Sequence, residues 1–374
     1  MRYIMKIICD TSLVSEACQN IQRAASGKAA VPALEGILIK TTRDGGGVEL
    51  SGYDLEMGIN TRIDARIEKS GGIILNAKTL CEILRHISGP EVLIESDEKN
   101  VCAIKGGDSE YSLIGMRADE FPDMPVVMGG IPVVLAQGLM RDMIRQTVFA
   151  VSADESKAIY RGIKFEISDG RLMLVALDGY RLAIRKEEIE YKRDTLSFIV
   201  PAKTLSEIAK FMNDDNGFVS VSLGKSHIVF NVNGYNIVSR LLEGDFMNYR
   251  AALPENYSLL VKVNTRELIE SVERVSLVIS EKFRSPLRCI FDGDIIKFSC
   301  VTGIGAANDR LPAEIEGERH ELGFNNRFLL DALRSCDADI VHIKISGTVS
   351  PVIITPPEGE AFIYIIMPTR LKEE

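Results

Sequence analysis

The sequence predicts an α+β protein made of three tandem copies of one domain, each with two helices packed on antiparallel sheets. Three observations carry that prediction. A short amphipathic stretch occurs at 77–87, 202–212 and 326–336, with Leu80, Leu205 and Leu329 in register at spacings of 125 and 124 residues. A period that long is a whole domain, not a solenoid unit. Each copy also carries an earlier helical segment, and each carries strand-like segments joined by tight turns in the same order.

In chain order, the first helices fall at 13–25, 139–151 and 266–279. Strands at 34–41, 163–167 and 288–291 lead through Asp44-Gly45-Gly46-Gly47, Asp169-Gly170 and Asp292-Gly293 into 48–53, 172–177 and 295–301. Such turns supply the positive φ that hairpins need. The second helices follow, with apolar residues at i, i+3, i+4 and i+7: Leu80/Ile83/Leu84/Ile87, Leu205/Ile208/Ala209/Met212 and Leu329/Ala332/Leu333/Cys336. That spacing is one face of an α-helix. A three-strand meander closes each copy, at 91–95, 101–104 and 110–116, then 218–223, 228–232 and 235–242, then 339–346, 351–355 and 361–367. Pro122, Pro125 and Pro254 end the first two copies, which sets domains at 1–126, 127–254 and 255–374. A unit of two helices and about eight antiparallel strands gathers its helices on one side of its sheets. The period alone leaves an arc, a ring and a string open.

Each second helix carries two cations seven residues apart: Lys78 and Arg85, Lys203 and Lys210, Arg327 and Arg334. At about 100° per residue, each pair lies on one line roughly opposite the apolar stripe. Cations on the wet face of an amphipathic helix are common, and Glu82, Glu207 and Asp331 stand at i+4 to the first cation, a usual surface pair. Recurrence of the same line of charge in three diverged copies favours a shared role.

Composition sets outer bounds. A chain of 374 residues, 46% hydrophobic and without Trp, has material for substantial cores. No run of 18 apolar residues occurs, and the opening apolar segment is too short for a signal peptide, so a cytoplasmic protein without a membrane role is expected. The seven cysteines form no CxxC pair, and the four histidines form no HExxH pattern. Reduced, buried thiols fit better than disulfides, and no metal or other cofactor is expected. A net charge of −9 argues against a generally basic nucleic-acid binder but leaves room for a local basic face.

Catalytic motifs are nearly missing. Gly224-Lys225-Ser226 ends like a phosphate loop, but Val219 stands where that loop needs Gly, and the tripeptide falls in a hairpin. Gly303-Ile-Gly-Ala-Ala-Asn308 lacks the last Gly of a dinucleotide fingerprint and any βαβ context. No GxSxG occurs, so no catalytic residue is assigned and an enzyme is not expected.

With Leu177-Asp-Gly-Tyr-Arg-Leu-Ala183, Ser280-Glu-Lys-Phe-Arg284, Leu322-Gly-Phe-Asn325 and Ile365-Ile-Met-Pro-Thr-Arg-Leu371, the chain resembles the bacterial β sliding clamp family over essentially its whole length. These are the processivity subunits of replicative DNA polymerases. The resemblance implies that the repeated unit is a DNA-clamp domain. Two chains then close head to tail into a six-domain ring whose helices line a pore around duplex DNA. The three pairs of cations would face that DNA, with Lys28 matching a basic loop position that contacts it in relatives.

The resemblance further implies a partner-peptide cleft between the second and third repeats. One wall would be Leu177, Gly179, Tyr180, Arg181 and Leu182, and the other Ile365, Met367, Pro368, Thr369, Arg370 and Leu371, with Tyr160 and Met247 at the rim. An apolar, Met-containing groove accepts many short peptides. The partners so implied are the replicative DNA polymerase alpha subunit, the clamp loader, other DNA polymerases and mismatch-repair proteins. Tyr111 and Leu113 match one side of the family's subunit interface, and Leu277 and Val278 the other. Departures occur at Met247, Ala251 and Ala252, where relatives often have Pro, a basic residue and Val, and at 303–309, which lacks an acidic cluster. Residues 372–374 extend past the usual final Leu. The alternative is a non-encircling peptide-binding scaffold of the same fold.

Overall fold

The computed structural model describes residues 3–371 except 28, 128–131, 192, 214, 215, 255 and 280–284. Lys28, the 280–284 motif and the 372–374 extension therefore lie outside the described residues.

Among the described residues six α-helices form: α1 (Thr11–Ile21), α2 (Ala77–His86), α3 (Gln137–Val148), α4 (Ala202–Ile208), α5 (Thr265–Ser276) and α6 (Asn326–Arg334). Side-chain caps start α1, α2, α5 and α6. Asp10 accepts from the Leu13 N–H at 2.9 Å, Asn76 from Thr79 at 3.1 Å, Asn264 from Glu267 at 3.0 Å and Asn325 from Arg327 at 3.0 Å. An Asx side chain at this position satisfies an amide the first turn leaves unpaired.

The first helices start one or two residues earlier than their apolar periodicity predicts, because strands Tyr3–Asp10, Val133–Ala136 and Leu259–Asn264 run straight into them. No loop separates these strands from their helices, and Asp10 and Asn264 both end a strand and cap the helix that follows. The same helices end three or four residues earlier than expected, and other boundaries differ as well. Pro32–Glu35 is a 3-10 turn ahead of strand Gly36–Thr41, since Pro32 pre-sets its first φ. After Ile208 the helix tightens into a 3-10 turn, Ala209–Phe211, and the Phe211 carbonyl accepts from Asn233 Nδ2 at 2.7 Å.

The chain divides into two compact units, one of residues 1–138 and 207–241, the other of 139–206 and 242–374. In the first unit a five-stranded sheet runs 65–69, 3–10, 91–97, 101–106, 109–114. Its nine-stranded sheet runs 116–117, 72–76, 36–41, 48–53, 57–63, 235–240, 227–232, 218–223, 133–136. In the second unit a nine-stranded sheet runs 196–201, 162–168, 171–177, 181–188, 362–366, 352–355, 340–345, 259–264, 314–317, beside a four-stranded sheet 305–312, 295–302, 287–292, 320–324.

Each nine-stranded sheet crosses a repeat boundary. The last strand of the second repeat pairs with the first repeat, Ile237 opposite Ile59, and the last strand of the third pairs with the second, Leu182 opposite Ile365. The hairpins that keep these registers use Asn233-Gly234, at φ 48° and 81°, and Asp169-Gly170, at φ 50° and 73°. Two successive positive φ values define the turn whose twist matches the flanking strands. Apolar side chains from the helices and from the facing sides of the strands, including Ile7, Ile37, Leu50, Leu80, Phe165, Leu205, Phe298 and Leu329, are buried as the core.

Candidate functional sites

The six helix cations, Lys78, Arg85, Lys203, Lys210, Arg327 and Arg334, are all exposed, while Leu80, Ile83, Leu84, Leu205, Ile208, Leu329, Ala332 and Leu333 are buried. Their acidic neighbours are arranged otherwise than expected. Glu82 binds Arg85 at 3.0 Å within α2, and Glu207 binds Lys210 of the following 3-10 turn at 2.7 Å, so each engages the second cation of its pair. Glu207 also takes Arg23, at 3.2 Å. In the third repeat Asp331 turns away to Arg181 at 2.6 Å, and Arg334 pairs with Glu273 of α5 at 2.7 Å. The exposed pairs of Arg85, Lys210 and Arg334 contribute about 0–1 kcal/mol each, so a phosphate can displace them.

The proposed cleft residues come together in the second unit. Antiparallel pairing sets Arg181 opposite Ile366, and the Met367 N–H donates to the Tyr180 carbonyl at 2.8 Å. Asp178 builds the intervening turn: its Oδ1 accepts from the Tyr180 and Arg181 amides at 2.8 and 3.0 Å, and Gly179 takes φ 97°. Leu177, Leu182 and Ile365 are buried among Val175, Ile184, Tyr249, Ile353 and Ile363, in a core cluster beneath the proposed groove. Its accessible side chains are Tyr180, 62% exposed, and Met247, with Tyr160, Met367, Pro368 and Leu371 half-buried and Thr369 and Arg370 exposed. The 367–371 arm is pinned where the Thr369 N–H donates to the Gly323 carbonyl at 2.8 Å.

Sequence reasoning missed Phe246, whose ring meets Tyr160 edge-on with centroids 5.5 Å apart. It also missed a charged support under the rim. Glu166 binds Lys164 at 2.7 Å, the Tyr249 hydroxyl at 2.8 Å and Arg250 at 2.5 Å. Burial pushes the Glu166 carboxyl up, but the three hydrogen bonds outweigh it and hold the group below its ordinary value. Arg250 lies over the Tyr249 ring, 4.9 Å from its centroid, and supplies a rim cation one position before Ala251. The apolar Phe246-Met247 pair between Asp245 and Asn248 is a local signal for the missed ring.

Of the proposed subunit-contact residues, Tyr111 and Leu113 lie on an edge strand, and Leu277 and Val278 follow α5. Strand 109–114 is the outer strand of its sheet, with Tyr111 and Leu113 half-buried and Ile114 88% exposed. Leu277, just past α5, is 82% exposed, and Val278 is half-buried with its carbonyl accepting from Thr302 Oγ1 at 3.0 Å. Val301 and Ile304 are exposed as well, and strand 305–312 is the outer strand of the four-stranded sheet. Asp309 on that strand is bound to Arg274 at 2.7 Å.

Gly224–Ser226 occupies a hairpin turn, with the Gly224 N–H on the His227 carbonyl at 2.8 Å. No group of His, Cys, Asp and Glu suited to a metal ion occurs among the described residues. No described helix is long and apolar enough to cross a membrane.

Strand edges, a cluster of candidate cleft residues and exposed helix cations lie on a three-repeat, sheet-sharing frame of the clamp type. The chain matches the DNA polymerase III beta subunit N-terminal domain over residues 5–125, the central domain over 134–248 and the C-terminal domain over 250–370. A solved structure from Eubacterium rectale ascribed to a DNA polymerase III beta subunit is 31% identical, with a TM-score of 0.95 over 98% of this chain and 100% of that one. The DNA polymerase sliding clamp of Bacillus subtilis is 27% identical, with a TM-score of 0.95 and the same coverage. The beta sliding clamp of Halalkalibacterium halodurans is 29% identical over 98% of this chain and its own full length. The chain belongs to the DNA polymerase III beta subunit family.

Proposed function

We propose that this chain is a DNA polymerase processivity factor, a cytoplasmic non-enzymatic protein in which two copies close into a ring of six domains, with repeats at 1–126, 127–254 and 255–374. One observation carries the ring. Last strand 235–240 pairs with 57–63, and last strand 362–366 pairs with 181–188, so 109–114 and 305–312 are the members of that series left at free edges. Joining one chain's 109–114 edge to another's 305–312 edge repeats the same join and satisfies both. The apolar Ile114, Tyr111, Leu113, Leu277 and Val278 then lie at the join.

Within such a ring the cations face the enclosed duplex and hold it weakly. Affinity for DNA falls with salt at a log–log slope of about −0.9 per neutralised phosphate, so tight use of every cation would stop sliding. Arg85, Lys210 and Arg334 already share a carboxylate, which leaves them as exchangeable contacts. Encirclement supplies retention, and the groove at Tyr180, Met247 and Met367 holds the replicative polymerase alpha subunit, the clamp loader, other DNA polymerases and mismatch-repair proteins in turn.

The test is primer extension on a primed circular template by the cognate polymerase, with the chain and its clamp loader. The reading predicts products of template length from a single binding event in the presence of a DNA trap. Short products equal to those of polymerase alone would reject it.

A further inference from the structure

The third repeat departs from the other two at one acid. Glu82 and Glu207 bind the second cation of their own pair, whereas the equivalent Asp331 of α6 sets its Oδ2 2.6 Å from Arg181 Nη1 in the groove turn. Arg181 is otherwise firmly held. Its side chain is 12% exposed, its Nε donates to Asp178 Oδ2 at 3.1 Å, and its guanidinium carbon lies 4.4 Å from the ring centroid of Phe328 on α6. Phe149 approaches as well, at 5.6 Å. Two edges of the guanidinium fork and one of its faces are thus fixed, and among the described residues Nη2 meets no acceptor. An arginine fork fixed in this way has little rotamer freedom left to lose when a further hydrogen bond forms.

We propose that Asp331 is a positioning residue for the groove: it locks the Arg181 guanidinium so that Nη2 is presented to an acceptor on the bound peptide. This rests on the reading that the groove takes partner peptides. Asp331 also stands four residues after Arg327 and three before Arg334, on the wet stripe of α6. Its charge therefore acts on two surfaces at once. Removing it loosens the donor in the groove and makes α6 more positive toward phosphate, so the two readouts move in opposite directions.

The experiment compares the full-length chain with Asp331→Asn, Asp331→Glu, Arg181→Ala and the Asp331→Asn/Arg181→Ala pair. Two quantities are measured: affinity for the cognate replicative polymerase alpha subunit, and the salt dependence of binding to a short linear duplex. Asp331→Asn should weaken polymerase binding about five- to tenfold, the effect of losing one charged hydrogen bond. It should also steepen the duplex salt slope by at most about 0.9 per chain. Asp331→Glu should restore polymerase affinity to within about twofold. In the Arg181→Ala background Asp331→Asn should cost no further polymerase affinity, because the group it positions is gone. An undiminished loss in that background, or weakened binding to both polymerase and DNA, would mean general damage to α6 and overturn the proposal. Wild-type binding with Asp331→Asn unchanged overturns it alone. Failure of the wild-type chain to bind polymerase overturns the functional reading and this proposal together.

Discussion

The Tyr249 hydroxyl donates to Glu166 Oε2 at 2.8 Å, tying the floor of the groove to a carboxylate that also binds Lys164 and Arg250. Tyr249 is 1% exposed and packs with Leu177, Leu182 and Ile365, so the bond fixes a core ring beneath the groove. Tyr249→Phe should cost about 1–2 kcal/mol in urea unfolding at neutral pH. The sign with pH follows from the lowered Glu166 carboxyl. Its contribution is present above the ordinary carboxyl range of about 4.3 and is lost as pH falls through the folded-state value. With one donor fewer the lowering shrinks, so the stability difference between wild type and variant should narrow in acid. A difference that stays constant from neutral pH to pH 3 would count against this role.

Gly323 lets the 367–371 arm lie directly on strand 320–324. A Cβ there would stand 2.5 Å from the Thr369 carbonyl oxygen and 2.9 Å from Leu371 Cδ2. Gly323→Ala should therefore lift the arm and weaken polymerase binding roughly tenfold, with secondary structure retained and a stability loss of about 1–3 kcal/mol. Circular dichroism and a polymerase-binding titration on one preparation separate the two effects. Unchanged polymerase affinity would show that the arm does not form a wall of the groove.

Ile114 and Leu277 protrude from the two ends that the ring reading joins. A glutamate at either exposed position should leave the single chain's stability within about 0.5 kcal/mol. Ile114→Glu and Leu277→Glu should each shift the sedimenting species from dimer toward monomer, since a charge is then buried without a partner. A dimer as stable as wild type in both variants would move the interface elsewhere.

The cations of α2 differ in their neighbours. Arg85 shares Glu82 at 3.0 Å, while Lys78 has no carboxylate partner among the described residues. Lys78→Ala should reduce the salt slope for a short duplex by up to about 0.9 per chain, and Arg85→Ala by less, because Arg85 exchanges one anion for another. Fluorescence anisotropy across a salt series measures both. The reverse ranking would place Arg85, not Lys78, against phosphate.

The helices were legible because a 3.6-residue period is a local signal, and three copies repeat it around Leu80, Leu205 and Leu329. The meanders were legible from turns such as Asn233-Gly234, where two positive φ values are needed in succession. Strands 3–10, 133–136 and 259–264 were not, since each passes into a helix without a turn residue between. Sheet sharing was also hidden. Ile237 finds Ile59 far away in the chain, and nothing near either residue encodes that pairing. At the groove, the resemblance drew the proposed wall residues from the sequence, and the structure brings them together. The hold on Arg181 was not legible, because Asp331 sits at a helix position where an ordinary surface pair with its own cation is the expected arrangement. Glu166, likewise, alternates along a strand as any half-exposed acid would, and only the fold brings Tyr249 and Arg250 to it.

Retention on circular against linear DNA separates encirclement from ordinary phosphate binding. The chain is loaded with its clamp loader and ATP onto nicked circular DNA, and bound protein is measured before and after the circle is cut to a line. A closed ring should stay on circles and leave the linear form rapidly through its ends. Equal retention on both forms would mean ordinary phosphate binding and would contradict a closed, sliding ring.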